Sequence, residues 1–468
     1  MEQQKRKTEP RPAPGQGQER VGAPTFEGPA LQAGAASSAG RIPSERLMEW
    51  ICESENLRQA WKKVKANKGA PGIDGMTVEE AHSWLCDNMD KLKRDLLTGN
   101  YEATAVRRVE IPKPDGGVRL LGVPTVIDRL VQQAVLIQLA TYIDPYFSPS
   151  SYGFRPGRSA HQALKAASGF VADGRRIVVD IDLEQFFDRV NHDILMGLLA
   201  KRIADKRVLK LIRSFLESGV MVNGVCFDTE EGTPQGGPLS PFLANLLLDE
   251  LDKELEHRGH RFCRYADDCN IYVQTQAAGE RVYASVTEFL EKRLKLKVNR
   301  QKSAVAPVRE RKFLGYRLLG GGSLTVSPKS LKRMKDRVRL LTKRNRPIPF
   351  DKRIKALNDF LRGWINYYQL ARCKKHMEDL GGWMRRKLRC VKLKEWKRAY
   401  TIARNLMSLG IEAEDAWKLA GSGKGWWRLA HTAPADKALD LEWFKQQGLI
   451  DPLEYYSSRS DAGNRRMR

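Results

Sequence analysis

The chain has 468 residues, with 81 Lys/Arg against 56 Asp/Glu, a formal net charge of +25 and a pI near 9.8. That balance suits a polyanionic partner, since cations that neutralise phosphates release counterions, and the length allows two to four folding units. No apolar stretch nears the ~20 residues of a membrane span, nothing near the start reads as a secretion signal, and the seven Cys and seven His lack disulfide-framework or metal-ligand spacing, which predicts a soluble cytoplasmic protein.

Residues 1–40 are rich in Pro, Gly, Ala, Gln and Ser without periodicity, predicting a disordered tail. Pro43-Ser44-Glu45 opens a helical stretch to about Asn67, with Leu47, Ile51, Leu57 and Trp61 on its apolar side. Residues 70–175 then alternate helix with hairpin-like pieces. From Arg175 to Leu183 a β-branched run is broken by acids at alternate positions. Strand side chains alternate between faces, so Asp180 and Asp182 share one face while Ile181 and Leu183 pack behind. Such a carboxylate can also simply pair with a cation or sit at a sheet edge, a reading that suits Asp180 better than Asp182.

A helix is expected from Phe242 to Leu255, followed by a hairpin in which Arg261-Phe262-Cys263 and Ile271-Tyr272-Val273 flank Tyr265-Ala266-Asp267-Asp268. Adjacent carboxylates on a turn suit hard cations such as Mg²⁺, which take oxygen ligands and complete their shell with water and substrate phosphate. Asp is also an ordinary turn residue. The pair therefore gains meaning only with a third carboxylate and nucleotide-binding elements upstream. The Gly320-Gly321-Gly322-Ser323 run predicts a turn.

Most of the excess charge lies in one segment. Residues 331–400 hold 23 Lys/Arg against 6 Asp/Glu, whereas residues 401–468 hold 10 against 9. Leu331, Met334, Val338 and Leu341 recur at helical spacing, as do Ile354, Leu357, Leu361, Trp364 and Tyr368. Three amphipathic helices would bury those stripes and turn Lys332, Arg333, Lys335, Arg337, Lys343 and Arg344 toward a phosphate backbone. Arg385, Arg386, Lys387 and Arg389 form a second basic cluster. A charge run is often only a solvated face; the density here favours nucleic-acid contact. The tail concentrates Trp417, Trp426, Trp427, Trp443, Phe444, Tyr455 and Tyr456. Core packing is the default for these, and base stacking, at ~1–3 kcal/mol per base, the sharper alternative. Gly421-Ser422-Gly423-Lys424-Gly425 lacks the spacing of a triphosphate-binding loop.

Several motifs in one order define a resemblance. Asp182 precedes the aromatic Phe187 by five positions and Asp188 follows it, a spacing under which Asp180 would meet Gln185. With it stand Asn67–Gly75, Ile111–Arg119, Ser151-Tyr152-Gly153-Phe154-Arg155-Pro156-Gly157-Arg158-Ser159, Gly232-Thr233-Pro234-Gln235-Gly236-Gly237-Pro238-Leu239-Ser240-Pro241, the Tyr-Ala-Asp-Asp turn, Lys302 and Lys312–Tyr316. This set resembles bacterial group II intron-encoded reverse transcriptase/maturases. The resemblance implies an α+β right-hand polymerase: fingers over 41–175, an antiparallel-sheet palm over 176–320, a helical thumb or maturase domain over 330–400, and a small DNA-binding region over 401–468. Many members end in a His/Asn/His nuclease with Cys pairs. Here only His431 follows residue 376 and no Cys follows Cys390, so the class C lineage, which lacks that nuclease, is the closer likeness.

By the same resemblance, Asp182, Asp267 and Asp268 are catalytic and hold two Mg²⁺ ions, with the backbone carbonyl of Leu183 as a further ligand. Lys113 and Arg119 clamp the triphosphate, Gln235 lines the nucleotide pocket, Phe187 crowds a ribose 2′-hydroxyl, and Lys302 is a candidate proton donor to pyrophosphate. Implied partners are deoxynucleoside triphosphates, an RNA template with DNA primer, group II intron RNA and target DNA, but no membrane. The expected function is RNA-directed DNA synthesis with assistance to intron splicing and mobility. The alternatives are an RNA-binding maturase with little polymerase activity, and a domesticated enzyme of repair or defence. A viral-type RNA polymerase usually carries Gly before the paired Asp. Retron and diversity-generating enzymes share the turn but generally lack the long basic thumb and the first finger element.

Overall fold

The computed structural model describes residue 42 and residues 45–112, 117–222, 225–227, 231–233 and 236–465. The tail expected over 1–40 and the helix opening at Pro43-Ser44 lie outside these residues. The described chain forms two compact units, residues 42–327 and 328–465.

The first unit begins with α1 (Leu47–Cys52) and α2 (Ser54–Asn67). The sequence suggests one continuous helix here, but Glu53 takes an extended ψ of 137° and breaks it in two. Next come α3 (Val78–Thr98), the antiparallel pair β1 (Val106–Pro112) and β2 (Val118–Val123), and then α4 (Val126–Ile143) and α5 (Ala160–Ala172). Helix α3 opens on a reciprocal Thr77/Glu80 capping box, which satisfies two orphan donors of the first turn. Strand β3 (Ile177–Ile181) leads into α6 (His192–Arg202), α7 (Lys206–Glu217), and the short strands β4 (Val220–Val222) and β5 (Val225–Phe227). The remainder is α8 (Ser240–His257), β6 (Arg261–Tyr265), β7 (Asp268–Val273), α9 (Gln276–Arg293), β8 (Ala304–Pro307), β9 (Tyr316–Leu318) and β10 (Leu324–Val326). The Gly320–Ser323 run turns the chain between the last two strands, closed by the Leu319 amide donating to the Ser323 carbonyl at 2.9 Å.

Two four-stranded sheets result. One runs β2-β1-β4-β5, with β1 and β4 parallel; the other runs β6-β7-β3-β8 and is antiparallel throughout. The second sheet has a dry face. Val179, Ile181, Phe262, Ile271 and Val273 share one core with Leu247 and Leu251 of α8 and Val286 and Leu290 of α9. Helix α8 is apolar nearly all round in its first half, the pattern of a helix buried on every side. The opposite face carries the acids.

The second unit is helical: α10 (Pro328–Leu341), α11 (Phe350–Tyr368) and α12 (Lys374–Trp396), then α13 (Ala399–Ser408), α14 (Ala413–Ala420), α15 (Trp426–Leu429), α16 (Ala433–Ala438), α17 (Leu441–Gln446) and α18 (Pro452–Arg465). Of the two apolar stripes, Met334, Val338, Ile354, Leu357, Leu361 and Tyr368 are buried, while Leu331, Leu341 and Trp364 are half-buried. Among the tail aromatics, Phe444 and Tyr456 pack inside, but Trp417 and Trp427 keep 45% and 41% of their surface open. No helix among the described residues is long and apolar enough to cross a membrane.

Asp205 ties the helical shell of the first unit together. Its buried carboxylate caps α7, accepts the Met48 amide of α1 at 2.9 Å and pairs with Arg207, which also reaches Glu49 at 2.8 Å. Burial alone would raise this carboxyl, but the hydrogen bonds from Arg207 and Met48 outweigh it and leave it below its ordinary value. A lowered native pKa stabilises the fold above the unfolded value and loses that contribution as pH falls through the native one. Asp205→Ala is expected to cost about 3 kcal/mol in urea unfolding of the full chain at neutral pH, and the gap to the parent should narrow below about pH 4.

Candidate active site

The register of the antiparallel sheet assembles the acids. Strand β3 pairs with β7 so that Asp180 faces Asn270 and Ile181 faces Cys269. The residues that follow on the two strands at this end are Asp182 and Asp268, and the Asp182 charge is felt at Asp268. Strand β7 pairs with β6 through Tyr265 opposite Asp268, leaving Ala266 and Asp267 as a two-residue hairpin loop. Ala266 takes a φ of +58°. That left-handed conformation costs an L-residue with a Cβ about 1–2 kcal/mol, so the surroundings must hold it.

They do so from two sides. Arg264 is wholly buried, and its guanidinium donates to the Ala266 carbonyl at 2.9 Å. From outside the sheet, Ser150–Gly153 runs along the β6 edge, with the Arg264 amide donating to the Ser150 carbonyl and the Tyr152 amide to the Arg264 carbonyl, each at 2.9 Å. Gly153 lies so close to the turn that a Cβ there would meet the Ala266 nitrogen at 2.3 Å.

Asp180 and Asp182 share a face, as alternation requires, but meet different surroundings. Asp180 is buried and pairs with Arg311 at 2.6 Å; desolvation raises its carboxyl, and the Arg311 charge restrains the rise. Asp182 follows the last residue of β3 and its side chain keeps 43% of its surface open, with the Lys302 ammonium 3.7 Å away. Its backbone is fixed by the 299–303 turn. The Asp182 amide donates to Ser303 Oγ at 2.9 Å, and its carbonyl accepts the Asn299 amide at 2.8 Å and the Ser303 hydroxyl at 3.2 Å. Arg311 also donates to the Lys302 carbonyl, so one guanidinium holds both Asp180 and the turn that presents Lys302.

The hairpin carboxyls are electrostatically loaded. Asp267 is exposed at the loop tip, yet protein crowds it enough that desolvation, followed by the Asp182 charge, pushes its carboxyl up while Arg119 and Arg264 pull it down. Asp268 is half-buried and lies well above the ordinary carboxylate range, first from desolvation and then from the charges of Asp180, Asp267 and Asp182. Among the described residues, no three His, Cys, Asp or Glu side chains stand close enough to enclose a metal ion. The donor set nonetheless fits a hard divalent cation in charge and chemistry. It is all oxygen and carries like charges, and an added cation would relieve their repulsion.

The other residues singled out by sequence fall at varying distances from this centre. Arg119 stands exposed on β2, near enough for its charge to reach Asp267. Leu183 is buried and bridges to Val298. Phe187 is half-buried, its ring centroid 5.2 Å from that of Phe186, and its carbonyl accepts the Thr233 amide at 2.6 Å, which brings the Gly-rich loop against the 186–189 turn. Gly236 of that loop has φ +139°, and a Cβ there would sit 2.5 Å from the Gly122 carbonyl of β2. Lys113 and Gln235 lie outside the described residues.

In the second unit, Lys332, Arg333, Lys335, Arg337, Lys343 and Arg344 are all exposed on α10 or just beyond it. In the second cluster Arg389 is buried, while Arg385, Arg386 and Lys387 are half-buried and meet protein partners. Arg385 pairs with Asp451, Arg386 donates to the Trp427 carbonyl and stacks 3.9 Å from its ring, and Arg389 is buried against Asp436 and the Leu439 carbonyl. Lys387 lies over Trp383 at 5.1 Å. Sequence reading did not single out Arg264, Asp252, Asn245, Ser303 or Arg311. Arg264 and Arg311 are visible only as basic residues beside the motifs.

Residues 111–318 match the family model described as reverse transcriptase (RNA-dependent DNA polymerase), and residues 331–409 match that of the group II intron, maturase-specific domain. Protein YkfC of Escherichia coli (strain K12) is 32% identical over 62% of this chain and 87% of its own length. The group II intron-encoded protein LtrA of Lactococcus lactis subsp. cremoris is 38% identical over 44% of this chain and 35% of its own length. A solved partial Cas6-RT-Cas1--Cas2 complex aligns with 53% of this chain and 42% of that chain, at 26% identity and a TM-score of 0.35. The chain belongs to the group II intron-type reverse transcriptase/maturase family. It is an RNA-directed DNA polymerase with an α+β right-hand fold.

The packing at Gly153 yields a test. Gly153→Ala should push the Ala266 turn out of place and lower primer extension on RNA by about a hundredfold, with thermal unfolding shifted far less than that loss of rate.

Proposed function

We propose that this protein copies RNA into DNA by two-metal phosphoryl transfer at Asp182, Asp267 and Asp268, and that it also binds a group II intron RNA to assist its splicing and mobility. The observation that supports this reading is the β3–β7 register, which ends at Ile181 opposite Cys269 with Asp182 and Asp268 the next residues at that end, together with the Asp182 charge felt at both Asp267 and Asp268. When bound, a pair of divalent cations would offset charge on the attacking and leaving oxygens. The three carboxylates, with the Leu183 carbonyl, hold them. Lys113 and Arg119 orient the triphosphate, the second through its bidentate fork. Gln235 lines the nucleotide pocket, Phe187 excludes a ribose 2′-hydroxyl, and Lys302 gives a proton to departing pyrophosphate.

On this reading the fingers span 41–175, the palm 176–320, the thumb 330–400 and a DNA-binding region 401–468. The exposed cations of α10 supply the phosphate contacts to template–primer and intron RNA, and target DNA is bound through the last segment. A maturase with a decayed polymerase site is disfavoured. Decay would appear first at metal ligands, which do no packing, and all three acids stand with their backbone supports intact.

Asp267→Asn is expected to lower cDNA synthesis by about a hundredfold or more while leaving intron splicing near the parent level. Retained polymerisation would overturn the site assignment. Replacing Lys332, Arg333 and Arg337 together by Gln should weaken RNA binding and reduce the slope of log affinity against log salt by about 2, read by filter binding across a salt series. An unchanged slope would move the RNA footprint off α10.

A further inference from the structure

Arg264 is among the largest side chains in the molecule with no exposed surface, and it ends one residue before the turn that carries the acids. Its guanidinium meets three different acceptors. Nε and Nη2 donate to the Asp252 carboxylate of α8, at 2.8 and 2.5 Å, while Nη1 donates to both Asn245 Oδ1 and the Ala266 carbonyl at 2.9 Å. Asn245, about two turns back from Asp252 along α8, spends its amide nitrogen on the Gly153 carbonyl at 2.8 Å. Asp252 and Asn245 are themselves buried. The network therefore joins the core helix, the left-handed residue of the hairpin loop and the segment that abuts that loop from outside.

A buried ion pair is poor evidence of stabilisation, because desolvation offsets much of the attraction and apolar residues of similar volume often do as well. Its geometry is the informative part. Filling this site with apolar side chains would pack the helix against the sheet equally well, but would leave the Ala266 carbonyl and the Gly153 carbonyl without donors. Both belong to the backbone that presents Asp267 and Asp268. We propose that Arg264, Asp252 and Asn245 form a positioning device that sets the catalytic turn: Asp252 orients the guanidinium, the guanidinium fixes the Ala266 carbonyl, and Asn245 locks Gly153 behind it. None of the three touches substrate. The inference rests on the reading of Asp267 and Asp268 as catalytic carboxylates.

The test compares full-length Arg264→Lys, Asn245→Leu and Asp267→Asn with the parent on an RNA template with a DNA primer. Lysine retains the charge opposite Asp252 but cannot span three acceptors; Asn245→Leu leaves the ion pair whole and removes only the amide. The readouts are kcat and KM for one nucleotide addition, primer–template Kd, Mn²⁺ affinity of the protein–primer–template complex by electron paramagnetic resonance, and circular dichroism to fix a temperature at which every variant is folded. Arg264→Lys and Asn245→Leu are expected to lower kcat by about tenfold to a hundredfold and to weaken Mn²⁺ binding, with primer–template Kd unchanged. Should Arg264→Lys fail to fold, Asn245→Leu alone decides. Folded variants with parental kcat and Mn²⁺ affinity would overturn the positioning role, since a merely structural pair would change only stability. If those variants are unaffected while Asp267→Asn is inactive, the site assignment survives and the inference fails; if Asp267→Asn is active, the assignment itself fails.

Discussion

One pairing governs the site: Ile181 of β3 opposite Cys269 of β7. A strand shifted by a single residue exchanges its faces. Such a slip would turn Ile181, now 1% exposed, toward water and drive Asp182 into the core shared with α8 and α9. The hydrophobic cost of that exchange is what fixes the register. Chemistry at the sheet's open end is thus specified by apolar packing on its far side.

Against that packing stands charge repulsion. The Asp182 charge helps to raise the carboxyls of Asp180, Asp267 and Asp268, and the charges of Asp180 and Asp267 add to the rise at Asp268. The fold tolerates them by giving each a different restraint: an arginine for Asp180, a lysine and a clamped backbone for Asp182, and the strained hairpin for the last two. On the proposed reading, a bound cation would relieve that repulsion. The same division explains why Arg311 is shared between Asp180 and the Lys302 carbonyl. Holding the structural acid and presenting the solvent-facing lysine become one task.

The candidate acids were legible because they follow simple periodicities. Alternate acids on a β-branched run and an Asp pair between apolar triplets pointed to strand β3 and to the β6–β7 hairpin. Two of the three helices of the basic segment, α10 and α11, were likewise readable from their stripes, since Met334, Val338, Leu357 and Leu361 are buried. What stayed hidden depends on contacts remote in sequence. Arg264 reads as one more cation in a chain of 81 basic residues, and only the fold shows it facing Asp252 with no exposed surface. The break at Glu53 also escaped, because neither proline nor glycine marks it. Burial of every tail tryptophan was the natural default, yet Trp417 and Trp427 remain open; short helices such as α14 and α15 have too little surface to cover two large rings.

The inward arginines of α12 bear on where this molecule can be divided. Arg385, Arg386 and Arg389 act as rivets between a long helix and the small ones that follow, taking a carboxylate from Asp451, a carbonyl from Trp427, and both kinds of acceptor from Asp436 and Leu439. A scissile point near residue 400, attractive on the grounds of charge alone, would carry off every one of those acceptors. It would leave three guanidinium groups marooned on a newly bared oily surface. The maturase helices and the aromatic tail are therefore better regarded as a single packed unit that a cut there would break open.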